Sequence, residues 1–140
     1  MQIVWEFFRA ERADDPYTFA GGVQQYVLRG EGGGAQTATL NWNVELLSDL
    51  QEVQRTGHDP AIRQRLGEVL RRFLGALGWA RREADVADAV SRGEPVFITL
   101  RAGASELYVL PWELMALQPT GQALGSLPGV LFRYEWPETH

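Results

Sequence analysis

The stretch Asp59-Pro-Ala-Ile-Arg-Gln-Arg-Leu-Gly-Glu-Val-Leu-Arg-Arg-Phe-Leu-Gly-Ala-Leu-Gly78 carries the strongest structural signal in the chain. Ile62, Leu66, Val69, Leu70, Phe73, Leu74 and Leu77 recur at intervals of three and four, which lines one face of an α-helix with apolar side chains. Asp59 is placed to cap the free amides of the first turn, and Pro60 suits the first helical position because its missing N–H would have no partner there. Gly78 ends the helix, as a residue free to turn left-handed does. A helix with one apolar stripe must lay that stripe on another layer.

Working outward, Asn43 is an N-cap for a preceding helix through Val44, Leu46, Leu47, Leu50 and Val53, with Gly57 at its C-cap. A shorter third helix is predicted over Arg82–Arg92, carrying Val86 and Val90 and stopped by Gly93. The outer segments read as strands. Ile3–Arg9 is the first, followed by a polar turn at Glu11, Asp14, Asp15 and Pro16. Tyr17–Phe19 and Val23–Arg29 form the next extended stretch, with Gly21-Gly22 marking a bulge or bend. Gly30–Gly34 is a hairpin loop leading into Thr37–Trp42. These three strands predict an antiparallel meander. In the last third, Pro95–Arg101 is a strand, Tyr108–Leu117 holds a short helix begun by Pro111, and Gly129–Trp136 is a final strand closed by Pro137.

The expected fold is therefore α+β: a mainly antiparallel or mixed sheet with two to three helices packed on it. It forms a single domain over 1–140, with a strand meander (1–42), a helical middle (43–93) and a strand, short helix and strand (94–140). The 140 residues, 45% hydrophobic and 22% charged, suit one such domain.

Composition narrows function. The chain has no cysteine, which removes disulfides, thiolate metal sites and thiol nucleophiles. The amino-terminal stretch turns acidic at Glu6 and has no signal-peptide pattern, and no window has the roughly 18 apolar residues of a membrane helix. A cytoplasmic protein without membrane attachment is expected. The net charge of −5 argues against nucleic acid as a partner. All basic residues are arginine. Seven of them (55, 63, 65, 71, 72, 81, 82) fall between Arg55 and Arg82 against Asp59 and Glu68, so this window carries +5 and the remainder −10. Arg63, Arg71, Arg72, Arg81 and Arg82 are candidates for a basic helical face that meets an acidic partner or is simply solvated.

The sequence holds no recognisable catalytic pattern. The histidines, His58 and His140, lack a spaced metal-binding partner. Ser48, Ser91, Ser105 and Ser126 stand in no nucleophile pattern. Gly30–Gly34 lacks the Lys-Ser/Thr of a phosphate loop and joins strands instead of opening a helix. No catalytic, metal or cofactor-binding residue is assigned. Among the carboxylates Glu113 stands out, lying beside Trp112 in an apolar run. It is expected to pair with an arginine or cap backbone amides. The five tryptophans are expected mostly in the core, with one or two free for a docking surface.

The segment Leu107-Tyr-Val-Leu-Pro-Trp-Glu-Leu-Met115, followed by a glycine-containing turn and the strand Gly129-Val-Leu-Phe-Arg133, resembles bacterial CHAT proteins, caspase-like peptidases related to separase. The order of elements is similar over most of the chain, and Pro111–Leu114 is the specific part. The resemblance implies a non-catalytic amino-terminal region of such a protein. It would brace a caspase-like core in cis or in trans, or dock a sensor or adaptor. The family's catalytic histidine and cysteine follow the Pro-Trp-Glu region, and no position of this sequence matches them, so no enzyme activity is expected of this chain. Pro111, Trp112, Glu113, Leu114 and Arg133 are the structural or interaction candidates it implies, with Trp112 an apolar anchor and Arg133 a partner for Glu113. The alternative is a stand-alone binding subunit that recognises an acidic partner through the arginine-rich helices.

Overall fold

The computed structural model describes residues 1–10, 22–30, 34–118 and 121–136. The expected turn at Glu11–Pro16, the stretch Tyr17–Phe19, Gly21, the inner part of the Gly30–Gly34 loop, Pro137 and His140 lie outside them.

The order of elements is β1 (Gln2–Arg9), β2 (Gly22–Arg29), β3 (Ala35–Trp42), α1 (Val44–Glu52), α2 (Pro60–Leu74), α3 (Trp79–Ser91), β4 (Val96–Ala102) and β5 (Val130–Glu135). The strands form one sheet in the order β3-β2-β1-β4-β5. The meander is antiparallel, with Phe7 opposite Leu28 and Tyr26 opposite Ala38. β4 and β5 join it in parallel, with Ile3 beside Ile98 and Ile98 beside Phe132. The sheet is thus mixed. Three helices separate β3 from β4, a connection long enough for the chain to return in the direction of β1.

The caps explain the helix starts. Asn43 Oδ1 accepts from the Leu46 amide at 2.8 Å, and Asp59 Oδ1 accepts from the Ala61 amide at 3.0 Å. α1 ends at Glu52, several residues before Gly57, which instead turns the chain at a φ of 79°. α2 tightens into a 3₁₀ turn over Gly75–Leu77, and Gly78 turns left-handed at a φ of 70°. α3 then begins at Trp79, earlier than the predicted Arg82. Trp79 is buried edge-on against Trp5, 5.5 Å between ring centres, a tertiary contact that local pattern does not reveal. Further one-turn 3₁₀ segments occupy Ser105–Val109, Trp112–Leu114 and Leu124–Ser126.

The helices lie on one face of the sheet. That face presents Ile3, Trp5 and Phe7 of β1, Tyr26 and Leu28 of β2, Leu40 and Trp42 of β3, and Val96, Ile98 and Leu100 of β4, all buried. They meet Leu66, Leu70, Phe73 and Leu74 of α2 and Val86 of α3 in one cluster. Gly67 lets α2 approach closely: a Cβ there would stand 2.6 Å from the Leu114 carbonyl oxygen.

Candidate functional site

The Pro-Trp-Glu segment is part of this core. Trp112 is fully buried, with its ring stacked on Phe7 at 5.2 Å and tilted against Phe73 at 6.1 Å. Its indole Nε1 donates to the Leu107 carbonyl at 2.9 Å, which satisfies its one polar group. Pro111 precedes the 3₁₀ turn as its N-cap, and Leu114 is half-buried beside α2. Glu113 is exposed and takes a hydrogen bond from the Tyr134 hydroxyl at 3.0 Å. Burial, followed by the neighbouring Glu113 carboxylate, pushes the Tyr134 hydroxyl well above its ordinary range. The expected Glu113–Arg133 pair does not form. Arg133 Nη1 lies 3.5 Å from Glu135 Oε1, because alternation along β5 puts Arg133 and Tyr134 on opposite faces of the sheet.

Two other carboxylates are buried, Glu83 of α3 and Glu106, the latter seven residues upstream of Glu113. Arg9 holds Glu106 with two hydrogen bonds, 2.9 and 2.7 Å, and the Tyr26 hydroxyl donates to it at 2.9 Å. Trp42 Nε1 in turn donates to the Tyr26 oxygen at 3.0 Å. Burial, followed by the Glu106 charge, raises the Tyr26 hydroxyl far above its usual value. This network ties β1, β2 and β3 to the segment after β4. Both carboxylate oxygens are occupied, which suits a structural link better than proton transfer. Its sequence signal was the same as that of Glu113, an acid inside an apolar run. Nothing local distinguishes the two.

The arginine-rich window is largely neutralised within the fold. Arg71 makes two bonds to buried Glu83, 3.0 and 3.1 Å. Arg72 lies 3.9 Å from Glu68, and Arg82 lies 3.5 Å from Asp85. Glu83 and Asp85 stand just beyond the +5 window and Asp49 and Glu52 just before it, and counting these four carboxylates reduces the excess to +1. Arg63 and Arg81 are exposed without an ion pair among the described residues. His58 sits in a surface turn, Nδ1 at 2.9 Å from the Arg55 carbonyl. No group of three potential metal ligands occurs among the described residues, and no described helix is long and apolar enough to cross a membrane.

The second face of the sheet carries the remaining feature. Register aligns Leu131 with Phe97 and Gln2, Arg133 with Thr99 and Val4, and Glu135 with Arg101, Glu6 and Arg29. The next row sets Phe8 beside Val27. Apolar side chains thus flank a rung of alternating charge, −, +, −, + across β5, β4, β1 and β2. Arg101 bonds Glu135 at 2.9 Å, a contact that holds the Glu135 carboxyl below its usual range. Leu131 is 56% and Val23 66% exposed, and Phe97 is also open to solvent. No helix among the described residues covers this face.

No protein-family model matches the chain, and neither does any curated protein or any solved structure.

Proposed function

We propose that this chain is a non-catalytic interaction module whose uncovered sheet face packs against a second protein domain, most simply a caspase-like core in cis or in trans. The observation that carries the proposal is the pairing of Phe97 with Leu131 on that face, continued by Val4, Phe8 and Val27 around the charged rung. A sheet stripe of this composition gains free energy when water is removed, at about 25 cal/mol per Å² of apolar area. The alternating charges give a partner its register, and like charges set opposite them would exclude wrong partners. The Pro-Trp-Glu resemblance points to a caspase-like partner, with Trp112 acting from inside the core to hold the sheet. The cytoplasmic setting expected from the sequence belongs to the same proposal. Recognition of an acidic partner through the helices is the weaker reading, since most of the arginines concerned are already held by carboxylates.

The test is affinity capture from the source cells with the wild-type chain and with Phe97→Asp/Leu131→Asp. The expected result is a partner bearing a caspase-like domain, retained by the wild type and lost by the variant. Equal recovery by both would overturn the assignment of the face. Capture of an acidic protein in a strongly salt-dependent way, abolished by Arg63→Glu/Arg81→Glu, would favour the helical face.

A further inference from the structure

The two ends of the sheet differ in their surroundings, and the β3 end borders a groove. In the β1–β2 ladder the Ala10 amide donates to the Gln25 carbonyl at 2.9 Å. The odd-numbered residues of β2 therefore aim their backbone groups at β1, and the even-numbered ones aim at β3. Register pairs Gln24, Tyr26 and Leu28 with Leu40, Ala38 and Gln36. The N–H and C=O groups of Thr37, Thr39 and Asn41 consequently point away from the sheet, as β3 is its terminal strand. An exposed edge of this kind is a template for another strand.

Beyond the edge, α1 and α2 form the opposite wall of a groove of about 1300 Å³. This exceeds the roughly 300–1,000 Å³ of a small-molecule pocket. Leu40, Val69, Phe73 and Ala76 line it, and Val44, 82% exposed, stands at its rim. Two cations on the wall are already matched. Arg65 is held by both oxygens of Asp49 at 3.1 and 2.8 Å, and Arg72 lies near Glu68. Glu45 is left as the lining charge without an ion pair among the described residues. It follows the end of β3, beside the position where a strand antiparallel to β3 would begin.

We propose that this groove binds an extended peptide of a protein partner as a sixth strand, antiparallel to β3, with apolar side chains at alternate positions and one Lys or Arg near its N-terminal end. Three features select that occupant. The outward backbone groups of Thr37, Thr39 and Asn41 are complemented by an extended backbone, not by a helix. Every second side chain of such a strand falls toward the apolar lining. The lining is net negative, with Glu45, Asp49 and Glu68 against Arg65 and Arg72, which favours one cation over an acidic or phosphorylated ligand. The site is distinct from the uncovered sheet face and stands or falls separately from it.

The experiment pans the full chain against a random library of peptides about eight residues long. Enriched peptides are then synthesised in native form and with N-methylation at alternate backbone positions. The expected consensus alternates apolar residues after a basic one. Bound peptide should slow amide exchange at Thr37, Thr39 and Asn41. N-methylation on one set of alternate positions, but not the other, should weaken binding about tenfold or more. Thr39→Pro removes one outward N–H without touching the β2 ladder and should weaken binding similarly, while Glu45→Gln should cost about threefold. Methylation leaves the protein unaltered, so the result does not depend on how Thr39→Pro folds. An unenriched library, binding indifferent to methylation at either set, or exchange unchanged at these three amides would overturn the proposal. So would peptides displaced by Phe97→Asp/Leu131→Asp and not by Thr39→Pro.

Discussion

The two faces of the sheet are made by the same strands and have opposite characters. On β1, Ile3, Trp5 and Phe7 point to the helices and are no more than 3% exposed, while Val4, Glu6 and Phe8 point the other way and are each half-buried. The covered face is continuous: its aromatic rings interlock with Phe73 and Trp112. The opposite face interrupts its apolar side chains with Arg133 and a rung of four charges. A closed core excludes such a rung, since each buried charge would have to be paired and desolvated. A surface that meets another protein tolerates it and gains specificity. The comparison teaches that alternation alone does not make two equivalent faces. What differs is whether other segments of the chain supply the second layer.

Five measurements would break or sharpen that contrast. Trp112→Ala removes the ring at the centre of the covered face, and urea denaturation should show a loss of about 3–5 kcal/mol. A variant of unchanged stability would mean that the covered face is not the energetic core. Glu106→Gln removes the buried carboxylate that Arg9 and Tyr26 bind and should cost about 3 kcal/mol in the same assay. A much smaller loss would make the network dispensable. In Gly67→Ala the new methyl meets the Leu114 carbonyl, so overpacking of about 1–3 kcal/mol should outweigh the gain of about 1 kcal/mol from alanine's helix preference. A stabilised variant would show that α2 and the Trp112–Leu114 turn are free to separate.

The fourth concerns pH. Tyr26 keeps its proton in the folded protein beyond pH 10.0, the ordinary value at which the unfolded chain begins to release it. Its contribution to stability is therefore complete below about pH 10 and declines as the pH rises further. Melting temperature should fall above that pH, and less steeply in Tyr26→Phe. Tyr134 and Tyr108, shifted in the same direction, add to the slope that remains. The smallest effect is expected on the open face, where Phe97→Asp/Leu131→Asp should cost the isolated chain about 1 kcal/mol per site, through lost strand preference and partial burial. A loss as large as that of Trp112→Ala would show that this face is covered within the chain itself.

Much of the fold was legible because its signals are local. Asp59, Pro60 and the Ile62–Leu77 stripe specify α2 whatever surrounds it, and Asn43 starts α1 by a bond to its own third neighbour. The strand meander was read from the polar and glycine-rich breaks between three β-forming stretches, and β1, β2 and β3 do pair antiparallel. The parallel entry of β4 and β5 was not legible. The strand Pro95–Arg101 reads the same in either direction, and its choice of β1 as neighbour depends on where three helices leave the chain. The site reading fared unevenly. Trp112 was read as an apolar anchor, and its ring is fully buried against Phe7 and Phe73. Glu113 was singled out over Glu106, although the latter is the buried acid of the two, because both sit in apolar runs. What separates them is the arrival of Arg9 and Tyr26 from strands distant in sequence. The basic window failed for a similar reason, since its neutralising carboxylates lie just past its end or on another helix.

By itself the sequence determined α2, the N-caps of α1 and α2, the strands, the α+β class, and the absence of cysteine chemistry, all of which follow from period, capping and composition within a few neighbouring residues. The tertiary structure alone decided the mixed strand order, the burial of Glu106 and exposure of Glu113, the pairing of the arginines, and the presence, among the described residues, of a sheet face without a covering helix and of a strand edge at β3. These are relations between segments far apart along the chain. Their free energies come from the removal of water between surfaces that only the folded chain brings together.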